Sequence, residues 1–291
     1  MKNCKSILCV LLFTVVAATA ADAPSLTFKF AKASVPGAAA TDPGGLNNAG
    51  MSVGYYTDTA GLNHGYILKG TKFTTLDDPK AKAGTTLGSN IQYNGTDVVG
   101  AYTNSAGLSV GFLYKGGKFT DVAGPKGNVG TAANAINDAG DIVGNYTDSA
   151  GNVHGFLLKG GKYKTLDVPG AIATIATGVS NKDVITFYWE NSSKVYEASM
   201  LTGKKYKTIN VPGATNSYAL DLDNEGDVTY EWQDSAGVIH AALLHAGKYY
   251  KYGYPKAYET YGGGLNDKNM IAGGYIPTAG ANYQGFNATF K

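Results

Sequence analysis

One aromatic residue returns along the chain at nearly constant spacing: Tyr56, Tyr102, Tyr146, Trp189, Trp232 and Tyr275, at steps of 46, 44, 43, 43 and 43 residues. A small residue keeps step behind it, as Gly65, Gly111, Gly155, Ala198, Ala241 and Gly285. So does a Lys-aromatic pair, Lys72-Phe73, Lys118-Phe119, Lys162-Tyr163, Lys205-Tyr206 and Lys248-Tyr249. Self-similarity at such a period marks a repeat architecture rather than one continuous core.

The cleanest copy, Ala135–Ala171, reads as four short strands. An Ala/Ile segment ends at Asn137, and Asp141–Tyr146, Val153–Leu158 and Tyr163–Val168 follow. Between them stand Asp138-Ala139-Gly140, the polar loop Thr147–Asn152 and a Gly-Gly turn, and Pro169-Gly170 stops the last strand. Short β-branched and aromatic runs between Gly, Asp and Asn clusters are hairpin sequence. No helical pattern occurs within a unit, so a solenoid is the weaker alternative and propeller blades are predicted. The sixth copy ends after its third strand, Gly285–Phe290, and its missing piece stands at the other terminus as Leu26–Phe30 followed by Val35-Pro36-Gly37-Ala38. The expectation is an all-β, six-bladed β-propeller of four-stranded blades over residues 24–291, its ring closed by the N-terminal strand.

Residues 1–20 read as a secretory signal peptide. Lys2 and Lys5 form a basic start, Ile7–Val16 an apolar core too short to span a bilayer, and Ala18-Thr19-Ala20 a small-residue cleavage site. Both cysteines, Cys4 and Cys9, fall in this leader, so the mature chain has no disulfide and no thiolate metal site. Without Lys2 and Lys5 the 24 basic residues become 22, equal to the 22 acidic ones, and there is no arginine. A neutral chain without arginine argues against nucleic acid and against bidentate recognition of phosphate or carboxylate, the sialidase chemistry included.

His64-Gly65-Tyr66, His154-Gly155-Phe156 and the surrounding Asp-Val-Pro-Gly-Ala and Tyr-Thr-Asp-Ser-Ala-Gly blocks resemble the bacterial extracellular HAF repeat proteins. Copies two, four, five and six depart from that pattern at Ser109-Val110-Gly111, Tyr196-Glu197-Ala198, His240-Ala241-Ala242 and Gln284-Gly285-Phe286. The resemblance implies export and a repeat fold, and it brings no activity or functional residue.

His64, His154 and His240 open the third strand in alternate copies. That strand lies two strands, about 9–10 Å, outside the innermost one, too far for three imidazoles to share an ion. Each is expected to cap its own loop, against Asp148 or Asp234 for example. Asp221–Asp227 has the look of a calcium loop, but it is the fifth copy of a hairpin turn that needs Asx and Gly anyway, and Trp232 stands where the bidentate Glu would be.

Copies four and five depart most from the pattern. Gly144 becomes Phe187 and Tyr230, and Asn145 becomes Tyr188 and Glu231. The only tryptophans, Trp189 and Trp232, lie there too, near Glu190 and Glu197. Aromatic rings take the C–H faces of sugars and carboxylates their hydroxyls. Trp189, Glu190, Trp232 and Asp234 are therefore the expected ligand-binding residues, with Tyr188 and Glu231 set on the opposite strand faces. For the aligned aromatic residues at large, packing between blades is the expectation.

These features predict a monomeric, secreted or periplasmic binding protein, with no cofactor, no metal and no assigned catalytic residue. Its expected partner is extracellular polysaccharide, or alternatively a surface protein bound in a structural or adhesive role. A glycan hydrolase or lyase using Glu190, Glu197, Glu231 or Asp234 is the remaining alternative.

Overall fold

The structure, a computed structural model, describes residues 25–291; the leader and both cysteines lie outside the described residues. Every element within them is a β-strand. Three four-stranded antiparallel sheets have the predicted up-and-down order, the first being Ala40–Leu46, Ser52–Thr57, Asn63–Lys69 and Lys72–Leu76. An eight-stranded sheet contains two more such runs, linked at a single parallel pair, Val153 with Ala173. A five-stranded sheet joins the chain ends: Phe28–Lys32 runs antiparallel to Gln284–Phe290, from Phe28 opposite Phe290 to Lys32 opposite Phe286.

Strand limits follow the sequence closely, with one instructive difference. In the third copy the last strand is Lys162–Leu166, two residues short of the expected Val168. Val168 N–H donates instead to Thr174 Oγ1 of the next unit at 3.2 Å, so the chain has left its ladder. The same bond recurs as Val35 to Thr41 and Tyr254 to Thr260.

The apolar clusters lie between neighbouring units. Val143 and Leu166 pack with Phe187, Trp189 and Leu201 of the following unit. Val53 and Leu76 likewise pack with Ile91, Tyr102 and Phe112. Of the six aligned aromatics, Tyr102, Trp189, Trp232 and Tyr275 are buried, and Tyr56 and Tyr146 are half-buried. Core packing is what this position does in most units.

Five first strands carry a bulge at the same place, skipping Gly44, Ser89, Asn134, Thr177 and Leu220. A bulge leaves its extra residue unpaired and re-aims it. In the sixth unit Gly262-Gly263-Gly264 breaks the strand altogether, between Glu259–Tyr261 and Leu265–Asn266. Glycine is needed here, because a Cβ on Gly264 would lie 2.4 Å from the Cα of Gly45 in the first unit.

At the ends of these first strands, one turn residue from each unit hydrogen-bonds to the next. Backbone N–H groups of Asn94, Asp138, Asn181, Asn224 and Asp267 donate to side-chain oxygens of Asp138, Asn181, Asn224, Asp267 and Asn48, at 2.6–3.0 Å. Asn48 Nδ2 donates to Asn94 Oδ1 at 2.9 Å, so the series returns to its start. The second unit has one extra turn residue, which sends Tyr93 inward. Tyr93 is buried, and its hydroxyl donates to the carbonyl of Leu222 and lies 3.4 Å from that of Val179, three and two units away. Tyr93 thereby ties the second unit to the fourth and fifth.

Candidate functional site

A well of about 290 Å³ lies among the first and second strands of several units. The bulged residues Gly44, Ser89, Asn134, Thr177 and Leu220 line it, as does Gly263. Around them stand Asp42, Tyr55, Asn145, Tyr188 and Glu231. Tyr55, Asn145, Tyr188 and Glu231 occupy one repeat position, the residue before the aligned aromatic. Strand alternation turns the aromatic between units and its predecessor to the well. The sixth unit has Gly274 there, and the Tyr283 ring fills the space, so that a Cβ on Gly274 would meet it. Tyr261 packs against Tyr283 with the rings tilted by 49° and their centroids 4.8 Å apart.

The lining contains two acids and no basic residue. Burial lifts Asp42 to about 6, and a hydrogen bond from Tyr55 moderates the rise. Burial, with the charge of Asp42 second, lifts Glu231 to about 8, and no hydrogen bond offsets it. Burial also raises Tyr188 to about 12, and Tyr55, Tyr261 and Tyr283 rise for the same first reason. Charged forms are penalised by a dry site, and perturbed acids in a cavity mark a functional candidate. At neutral pH the two carboxyls together hold about one proton.

The four residues expected from sequence to bind ligand do not meet in one pocket. Trp232 and Asp234 line a groove of about 550 Å³ on the outer part of the fifth unit, with His240, Lys251 and Tyr252. The indole already has close neighbours: His240 stacks on it at 4.5 Å and Lys251 Nζ lies 3.8 Å from the ring centroid. Trp189 is buried in the preceding cluster with Nε1 donating to Ser199 Oγ at 2.9 Å. Trp232 Nε1 is buried without a partner, because Ala242 stands where Ser199 does. Glu190 pairs with Lys194 at 3.4 Å.

The histidines do cap their own loops. His154 lies 3.3 Å from Asp148 and 3.0 Å from Asp167, His64 sits likewise between Asp58 and Asp77, and His240 is 2.8 Å from Asp234. Each loop Asp accepts two backbone N–H bonds as well, as Asp148 does from Ala150 and Asn152. The acids of Asp221–Asp227 do not converge. Asp223 Oδ1 caps its turn at Glu225 and Asp227, Asp221 accepts from Leu265 N–H, and Asp227 pairs with His245. Among the described residues no three His, Cys, Asp or Glu side chains gather as metal ligands.

Sequence reasoning missed Asp42, Tyr55, Asn134 and Asn145; it left Tyr188 and Glu231 out of the ligand-binding set, keeping Glu231 only as an acid of the hydrolase alternative. The signal available was the change from Gly144-Asn145 to Tyr230-Glu231 at a position that alternation turns away from the core.

No family model matches the sequence, and no curated protein matches it. Among solved structures, TolB from Acinetobacter baumannii superposes with a TM-score of 0.58 at 11% identity, over 82% of this chain and 65% of TolB. The chain thus spans just under two thirds of TolB. The β-propeller domain of the Trilobed protease from Pyrococcus furiosus gives a TM-score of 0.50 at 10% identity, over 86% and 95% of the two chains. An Aleuria aurantia lectin bound to α-methyl-L-fucoside gives 0.46 at 14% identity, over 88% and 80%. No helix among the described residues is long and apolar enough to cross a membrane. Strand pairing and the first two likenesses agree on the fold: the chain is an all-β propeller.

Proposed function

We propose that the protein is an exported, non-enzymatic binding propeller whose ligand is extracellular polysaccharide, taken at the well. The observation that carries this reading is the well itself: acids, amides and phenols from several units converge on one space of about 290 Å³. Hydroxyls can be met there by Asp42, Asn134, Asn145 and Glu231, and the sugar ring by Tyr55 or Tyr188. We further propose six blades in a closed ring. The eight-stranded sheet divides at its one parallel pair into two four-stranded runs, and the series of turn hydrogen bonds returns to Asn48. Ala33 and Val35 pack with Tyr66 and Leu68 of the first unit, while Phe28 and Phe30 pack on the last, so the N-terminal segment bridges the two.

The sequence-based set Trp189, Glu190, Trp232 and Asp234 enters this proposal divided. Trp232 and Asp234 share the outer groove and form a second candidate contact, and Trp189 serves the core. Export by a leader ending near Ala20, the HAF likeness, a monomeric state and a secreted or periplasmic location belong to the same proposal. Mass spectrometry of the exported protein is expected to find the chain starting near Ala21 or Asp22, and an intact leader would contradict it.

A glycan array probed with the mature protein is expected to show binding without product release. Failure to bind any glycan, with retention on cells, would favour a surface-protein partner instead. One observation favours a second reading, a hydrolase: Asp42 and Glu231 face one well with their proton affinities pushed apart. Appearance of new reducing ends in the bound glycan would select it.

A further inference from the structure

The well can be asked which polysaccharide chemistry it suits; the answer rests on the reading above. Its charge is one-sided. Asp42 and Glu231 are the ionisable acids of the lining, no Lys or His joins them, and the chain has no arginine. The groups that face them from the neighbouring strands are the phenols of Tyr55, Tyr188, Tyr261 and Tyr283, all held more firmly protonated than usual. Elsewhere acids are answered by cations or by N–H donors: Asp97 by Lys115 at 2.6 Å, Asp141 by Lys159 at 2.8 Å, Asp227 by His245. In the well, by contrast, the carboxyl of Glu231 faces the cavity with no cation and no hydrogen-bond donor beside it.

We propose that the well takes a primary ammonium group carried on a sugar, set between Asp42 and Glu231. An ammonium ion supplies the N–H donors that Glu231 lacks and the positive charge that lets both acids ionise together. Aromatic walls suit it as well, because a cation is attracted to the faces of tyrosine rings. A volume near the lower end of the ~300–1,000 Å³ of small-ligand sites limits the guest to about one sugar residue. Binding is coupled to deprotonation. Glu231 is protonated in the empty well at pH 6.5, and the incoming charge drives its proton to solvent, so the complex forms with release of about one proton.

The test is calorimetric titration of the mature protein at pH 6.5 in two buffers of different ionisation enthalpy. The probes are the glucosamine trisaccharide, its N-acetylated form, cellotriose and putrescine. The glucosamine trisaccharide is expected to bind at least tenfold more tightly than the N-acetylated and neutral ones, with a buffer-dependent heat that reports proton release. Glu231→Gln, and independently Asp42→Asn, should reduce the preference to threefold or less, and Glu231→Gln should abolish the proton release, with each variant checked by melting. Equal binding of all three sugars would overturn the ammonium site and leave the polysaccharide reading standing. Binding of putrescine with no sugar bound would do the reverse. Tight amine binding without proton release in the wild type would overturn the role given to Glu231 without recourse to any variant, and no binding by any probe would overturn both readings.

Discussion

Removal of Leu26–Val35 is expected to lower the melting temperature by more than about 10 °C, whereas removal of a tip residue such as Ala150 from its exposed loop should shift it by only a degree or two. The segment supplies a full ladder to Gln284–Phe290. It also supplies Phe28, stacked 5.1 Å from Tyr252, and Phe30, edge-on to Phe286 at 5.2 Å. Val35 is buried against the first unit. Each such side chain contributes about 1.5–3 kcal/mol when fully buried, and the truncation also exposes an open strand edge. Calorimetric scans of the truncated and full mature chains give the comparison. Similar melting of the two would mean that the ends are not what holds the first and last units together.

The second large effect is on pH dependence. Glu231 has its proton affinity raised from an unfolded value near 4.5 to about 8, and Asp42 and buried Asp221 are raised from 3.8 to about 6 and about 7. The folded state therefore binds protons more tightly than the unfolded chain. The stability linked to these groups is fully present below their unfolded values and is lost as pH rises through 6 to 8. His154 adds to the same trend: burial disfavours its charged ring, but Asp167 and Asp148 together outweigh that and hold its proton more firmly than usual. The protein should be more stable at pH 5 than at pH 8.5, by at least about 2 kcal/mol after allowing for solvent in the well. Glu231→Gln should flatten the profile, gaining about 2 kcal/mol at pH 8.5 and almost nothing at pH 5. Denaturant titrations at both values measure this directly. A wild type equally stable at both would show that the well is wet enough to solvate its acids.

Much of this molecule is legible in its repeat, and the reasons for the rest are local. Periodicity locates the strands because each unit buries the same positions against the next. Ala40–Leu46 is a strand despite containing Asp42-Pro43-Gly44-Gly45, which reads as a turn by itself. Neighbouring first strands and a bulge at Gly44 override that local preference, and this is how Asp42 comes to face the well. Alternation did put Tyr188 and Glu231 opposite the tryptophans. What period two does not carry is that the inner margin of that face opens into a shared space. The tryptophans looked like sugar platforms by type, yet Trp232 repeats the arrangement of Tyr56 over His64 and Tyr146 over His154, ring centroids 5.1 Å apart in both. Residue type alone does not distinguish an open face from one already covered.

Tyr93 has a further consequence. In a chain of repeats each unit ordinarily touches only its neighbours, and its stability is close to a sum of local contributions. The phenol of Tyr93 reaches past that order, from the second unit to backbone carbonyls of the fourth and fifth. Units far apart in sequence are thereby tied directly, so the described residues should unfold as one body rather than fray unit by unit from either end.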